Sequence, residues 1–226
     1  MRYNSSMFRI VCALAGMLFV LLTAEILWHR KKISGEYARK YVHVLGGSFV
    51  AFWPYFLPMP DIRVIAAASM ALWMVARFLH VSYAMHDIKR RSVGELLYPF
   101  SVFLLTTIAQ ANWIFTVSVL FLSLADGMAA VFGKRFGTKK MTYKVPAGKK
   151  TLQGSAAYVV SCYVALAIGA LLGGREAIAQ SWIITIGWLP LMCVFVENIS
   201  PFGTDNFTVP MLVVTVLNLA LTVSVI

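Results

Sequence analysis

The chain has 226 residues, 60% of them hydrophobic and only 13% charged, with a formal net charge of +11. A soluble domain of this size is about half apolar and about a quarter charged, so a water-soluble fold is excluded. Apolar runs of about 17–25 residues recur, the length that crosses about 30 Å of hydrocarbon. They leave no room for a separate soluble domain, and residues 1–226 read as one integral membrane domain.

Candidate spans are predicted at about 8–28, 41–58, 62–82, 95–110, 112–132, 153–173, 178–196 and 207–226. The fold class is therefore all-α, a polytopic transmembrane bundle of about eight spans, with seven as the alternative count. Pro54, Pro58 and Pro60 crowd the end of the second span, and Gln110-Ala111-Asn112 leaves a very short turn between the fourth and fifth. The first apolar run, Ile10 to Trp28, is longer than a signal-peptide core. His29-Arg30-Lys31-Lys32 follows it instead of small residues, so it is read as a retained helix.

Charge sorts the loops. Arg30, Lys31, Lys32, Arg39 and Lys40 follow span one, and Lys89, Arg90 and Arg91 follow span three. After span five come Lys134, Arg135, Lys139, Lys140, Lys144, Lys149 and Lys150, with no acid among them. Positive loops mark the cytoplasmic side, which puts the odd-numbered loops there and both termini opposite. The loop after span seven lands on the same side and holds only acids, Glu197 and Asp205. One face thus collects cations and carboxylates, as a magnesium nucleotide requires. A basic balance also suits nucleic acid or anionic lipid. No nucleic-acid motif is visible, and Cys12, Cys162 and Cys193 lie in apolar runs without metal or disulfide spacing.

Four stretches carry candidate chemistry. Arg39, Lys40 and His43 stand three or four residues apart at the start of span two, where they form either a phosphate-binding helix face or a positive anchor at the interface. His43 lies a turn deeper than an anchor needs. Asp126, at the end of span five, is an acid in an apolar segment, which is expensive and marks a functional candidate. Gly127, Ala129, Ala130, Gly133 and Gly137 surround it and permit close approach of a ligand or of another helix. Gly148-Lys149-Lys150-Thr151 invites comparison with a P-loop. That motif needs a glycine where Tyr143 stands and a preceding strand, and is rejected. The two lysines are left as phosphate contacts or headgroup contacts. Glu197 to Asn206 groups two acids and two amides around Pro201 and Gly203, either as a site or as a polar turn with helix capping.

These blocks resemble a known group. Arg39-Lys40-x-x-His43-x-x-Gly46, Gly94-x-x-x-Tyr98-Pro99, Asp126-Gly127-x-Ala129-Ala130-x-x-Gly133-x-x-x-Gly137, Gly148-Lys149-x-Thr151-x-x-Gly154-Ser155 and Glu197-x-x-Ser200-x-x-Gly203-x-Asp205-Asn206-x-x-x-Pro210 follow one another in order. Together they are similar to the dolichol kinase and phytol kinase family, which includes CTP-dependent diacylglycerol kinases and is related to the CDP-diacylglycerol synthases. Gln153 stands where that family often has Glu.

The resemblance implies a membrane enzyme that moves the terminal phosphoryl group of a nucleotide, typically CTP, to a lipid alcohol with a divalent cation. On this reading Asp126 ligates Mg2+ with Glu197 or Asp205, and Arg39, Lys40, Lys149 and Lys150 hold phosphate oxygens. Gly127 and Gly133 let the nucleotide approach, Asn206 orients it, and His43 is either the base for the alcohol or a further phosphate donor. The expected partners are a nucleoside triphosphate, a membrane lipid alcohol and the bilayer, without nucleic acid. Cytidylyl transfer and a small lipid transporter or flippase are the alternatives.

Overall fold

The computed structural model describes residues 2–33, 35–78, 93–177 and 181–223. Asp87, Lys89, Arg90 and Arg91 lie outside them, as do His80 and His86. The described residues form eight helices: α1 (Arg2–His29), α2 (Gly35–Ala51), α3 (Met59–Phe78), α4 (Gly94–Ile108), α5 (Asn112–Phe136), α6 (Leu152–Ala177), α7 (Ser181–Ile199) and α8 (Asp205–Val223). Ser6–His29, Asn112–Phe136, Leu152–Gly174 and Asp205–Thr222 are long and apolar enough to cross a membrane. Gly94–Ile108 and Gly187–Ile199 are shorter apolar helices. The architecture is the all-α membrane bundle that the composition predicts.

Helix α5 is its axis. Trp113 through Ser123 are all buried, as expected of a helix apolar on every side. Helices α2, α6 and α8 pack around it. Helix α1 is peripheral: it packs on α2, while Phe8, Val11, Leu18 and Phe19 stay exposed as a lipid-facing stripe would. The two helices cross closely, because a methyl group added at Gly16 would lie 2.6 Å from the Phe49 ring.

The second span differs from its predicted 41–58. Helix α2 begins at Gly35 and ends at Ala51, and a 3-10 turn over Trp53–Tyr55 leads to α3 at Met59. Proline lacks an N–H and fits the first turn of a helix far better than its interior, so Pro54 and Pro60 open new elements instead of continuing α2. The short turn between α4 and α5 is satisfied from α8. Asn218 accepts from the Gln110 N–H at 3.1 Å and donates to the Ile108 carbonyl at 2.7 Å.

One element was not expected. After α5, β1 (Thr142–Val145) and β2 (Gly148–Thr151) form an antiparallel hairpin, so a strand does precede Gly148, contrary to the sequence reading. Pro146 and Ala147 make the turn, and Gly148 adopts φ 120°, a region open mainly to glycine. Strand residues alternate faces. Tyr143 and Lys150 pair on the inner face, and Lys144 and Lys149 pair on the exposed one.

Candidate metal and phosphate site

Four helices, α2, α5, α7 and α8, meet the hairpin around one cluster of charged side chains. The first contributor is α5, which widens into a π-helical turn over Phe121–Ala125 immediately before Asp126. Turns of this kind are rare and collect at functional sites. His43 from α2 holds this one: its Nε2 lies 2.9 Å from the Leu122 carbonyl oxygen and 3.3 Å from Asp126 Oδ2. Beside it, Lys40 Nζ donates to Asp126 Oδ2 at 2.5 Å.

The α7–α8 turn supplies the other carboxylates. Glu197 lies buried in the last turn of α7, and Asp205 begins α8. Between them Phe202 and Gly203 adopt φ 58° and 86°, reversing the chain within a few residues. A non-glycine residue in that region is uncommon, so surrounding contacts must hold it. The Phe202 carbonyl accepts from the Val93 N–H at 3.0 Å, and Asn206 Nδ2 donates to the Gly94 carbonyl at 2.9 Å. Ser200 and Thr208 hydroxyls hydrogen-bond at 2.9 Å across the turn.

Asp126, Glu197 and Asp205 thereby present carboxylate oxygens that all lie within 4.8 Å of one another. Such a set of hard oxygen donors fits Mg2+ or Mn2+, with phosphate and water completing the shell. The hairpin closes one side. Lys150 hydrogen-bonds Glu197, while the Ala147 N–H donates to the Asn198 carbonyl at 3.1 Å. The Tyr143 hydroxyl meets Ser155 Oγ at 2.5 Å, tying the hairpin to α6. Burial alone would lower the pKa of the Lys150 ammonium, but Glu197, with help from Asp126 and Asp205, raises it above its ordinary value.

The sequence-selected residues separate into two groups. Asp126, Glu197, Asp205, Lys40, His43 and Lys150 come together. Arg39 is half-buried on α2, close enough for its charge to act on His43. Lys149 does not join them: strand alternation turns it to the exposed face. Gly127 and Gly133 both stand at close packing contacts. A methyl group on Gly127 would collide with the Val44 side chain of α2, and one on Gly133 would lie 2.9 Å from Thr151 Oγ1. Asn206 gives its amide N–H to α4, which makes it a brace of the turn. His43 shares Nε2 with a carbonyl, which only accepts, so that nitrogen carries the hydrogen. Any base function would fall to Nδ1.

Sequence reasoning overlooked the π turn and the inner hairpin face. The π turn has no local residue signature. The hairpin could have been found from the Pro146-Ala147-Gly148 turn flanked by Thr, Tyr and Val.

Fold and site together define a class: a helical membrane protein whose acid triad and lysines converge where α2, α5, α7 and α8 meet. Comparison with known proteins narrows it. The chain is 27% identical over 201 residues to a phytol kinase of Synechocystis sp., covering 85% of this chain and 82% of that one. It is 27% identical over 209 residues to a probable chloroplastic phytol kinase 2 of Glycine max, covering 87% of this chain and 70% of the relative. With the chloroplastic phytol kinase 1 of Arabidopsis thaliana it shares 26% over 221 residues, covering 89% and 72%. No family model and no solved structure matches the chain. Over most of its length the chain is thus similar to phytol kinases.

Proposed function

We propose that this protein is a lipid-alcohol kinase that transfers the terminal phosphoryl group of CTP to the hydroxyl of a prenol-type lipid such as phytol, using Mg2+. Its relatives are phytol kinases, which supports a phosphotransferase with an alcohol acceptor. The observation that carries the reading is the convergence of Asp126, Glu197 and Asp205 beside Lys40 and Lys150. CTP as donor follows from the motif resemblance, and the cytoplasmic placement of the site from the distribution of lysine and arginine among the loops.

Phosphoryl transfer asks mainly for positioning and charge neutralisation. In this mechanism Asp126, Glu197 and Asp205 would hold the cation, which would supply neutralisation of the phosphate charge. Lys40 and Lys150 move from their carboxylates to phosphate oxygens, as point-charge donors can. His43 keeps the π turn and Asp126 in place through its Nε2–H. The acceptor's chain lies among the helices with its hydroxyl at the triad.

The test uses the full chain purified in detergent with labelled CTP or ATP, Mg2+, and phytol, dolichol or diacylglycerol as acceptor. Formation of a lipid monophosphate with release of CDP is the expected result. Release of pyrophosphate with a CDP-lipid would replace the kinase reading with cytidylyl transfer. Asp126→Ala turning over as fast as the wild type would remove the triad from the mechanism.

A further inference from the structure

The two lysines that face the acid triad do not stand apart from it. Lys40 Nζ is 2.5 Å from Asp126 Oδ2, and Lys150 hydrogen-bonds Glu197, the most deeply buried of the three acids. Asp205 alone of the three has no ion pair among the described residues. Two ammonium groups thus occupy the carboxylates that a cation would need, leaving the cluster one formal negative charge.

That arrangement is poor for a lone divalent ion. The ion would have to displace both ammonium groups, and Lys40 and Lys150 are only 14% and 26% exposed. Stripping a partner from a buried charge is strongly unfavourable unless another partner replaces it. Polyphosphate is such a replacement, because its oxygens accept from ammonium groups while also ligating the metal. Both lysines sit on elements that keep them beside the triad during the exchange: Lys40 on α2, one turn from His43, and Lys150 on the inner hairpin face.

We propose that Lys40 and Lys150 are placeholders for the cation, so that the site takes a divalent metal and a polyphosphate as one unit and binds neither metal nor polyphosphate well alone. This rests on the reading of the triad as a metal site. It adds that removing a lysine strengthens binding of free metal while weakening that of polyphosphate. A merely phosphate-binding lysine would do only the second.

The test is Mn2+ binding to the full chain in detergent, with and without inorganic tripolyphosphate. Water-proton relaxation enhancement separates ion held on the slowly tumbling protein from ion held by free tripolyphosphate. For the wild type, tripolyphosphate should tighten apparent Mn2+ binding at least tenfold. Lys150→Met should bind Mn2+ without tripolyphosphate at least tenfold more tightly than the wild type and lose most of the gain from tripolyphosphate. Lys40→Met provides the same comparison independently of the hairpin. Wild-type binding of Mn2+ that is equally tight with and without tripolyphosphate would overturn the proposal. So would Lys150→Met and Lys40→Met both binding Mn2+ no more tightly than the wild type. Absence of protein-bound Mn2+ in every sample, with or without tripolyphosphate, would instead overturn the triad as a metal site and this proposal with it.

Discussion

His43 Nε2 sits 2.9 Å from the Leu122 carbonyl oxygen and 3.3 Å from Asp126 Oδ2, so one edge of an imidazole fastens both the π turn and the acid that follows it. Helix α2 thereby sets the position of a carboxylate on α5. It does so with the same helix that carries Lys40, the hydrogen-bond donor to that carboxylate.

If His43 acts through this N–H, a side chain that can still donate should substitute for it. His43→Gln is expected to retain within about fivefold of wild-type turnover, and His43→Ala to lose tenfold or more, the usual range for a group that orients a metal ligand. Equal losses in the two variants, together with a missing acidic limb in the pH–rate profile, would mark a role as general base instead.

Gly127 is expected to matter for stability. The methyl group of Gly127→Ala overlaps Val44, whose branched side chain has little rotameric freedom. Overpacking of this kind costs about 1–3 kcal/mol. Thermal unfolding in detergent should show the loss, and Val44→Ala added to Gly127→Ala should recover most of it. A double variant no more stable than the single one would mean the two residues are not in contact.

Adjacent lysines on the hairpin should behave differently. Lys150→Met is expected to lower kcat/KM by about 100-fold, as removal of a preorganised charge-stabilising donor does. Lys149→Met should stay within about threefold, as exposed substitutions usually do. Steady-state kinetics on both variants decides the point, and similar losses would contradict the strand register.

The carboxylates should be needed together. Glu197→Gln and Asp205→Asn are each expected to reduce turnover by about 100-fold or more, and a chelator should abolish activity that Mg2+ then restores. Full activity in excess chelator would exclude the divalent ion.

Much of this site is legible in the sequence because its members are chemically out of place. Asp126 and Glu197 are acids at the ends of apolar runs, and Lys40 and His43 lie a helical turn apart where a span begins. What is not legible depends on register and close approach. Lys149 and Lys150 are identical as neighbours in a string and differ only once a strand turns one inward. Gly127 and Gly133 look alike as ligand-approach or helix-packing glycines until Val44 and Thr151 are seen against them. The end of α2 at Ala51 was obscured because Phe52 to Leu57 is as apolar as the helix itself, leaving the prolines as the only sign of a break.

The length of α5 carries one more consequence. Asp126 follows Asn112 by fourteen residues on this helix, a rise of about 21 Å. Were the Gln110–Asn112 turn to lie at one boundary of a hydrocarbon layer about 30 Å thick, the triad would lie roughly 9 Å inside the opposite boundary. A long-chain alcohol has no bulky headgroup to hold its oxygen up among the phosphates of the leaflet. Depth alone would then sort acceptors: a bare hydroxyl can settle to the level of the acids, while a phospholipid head stays stranded above them.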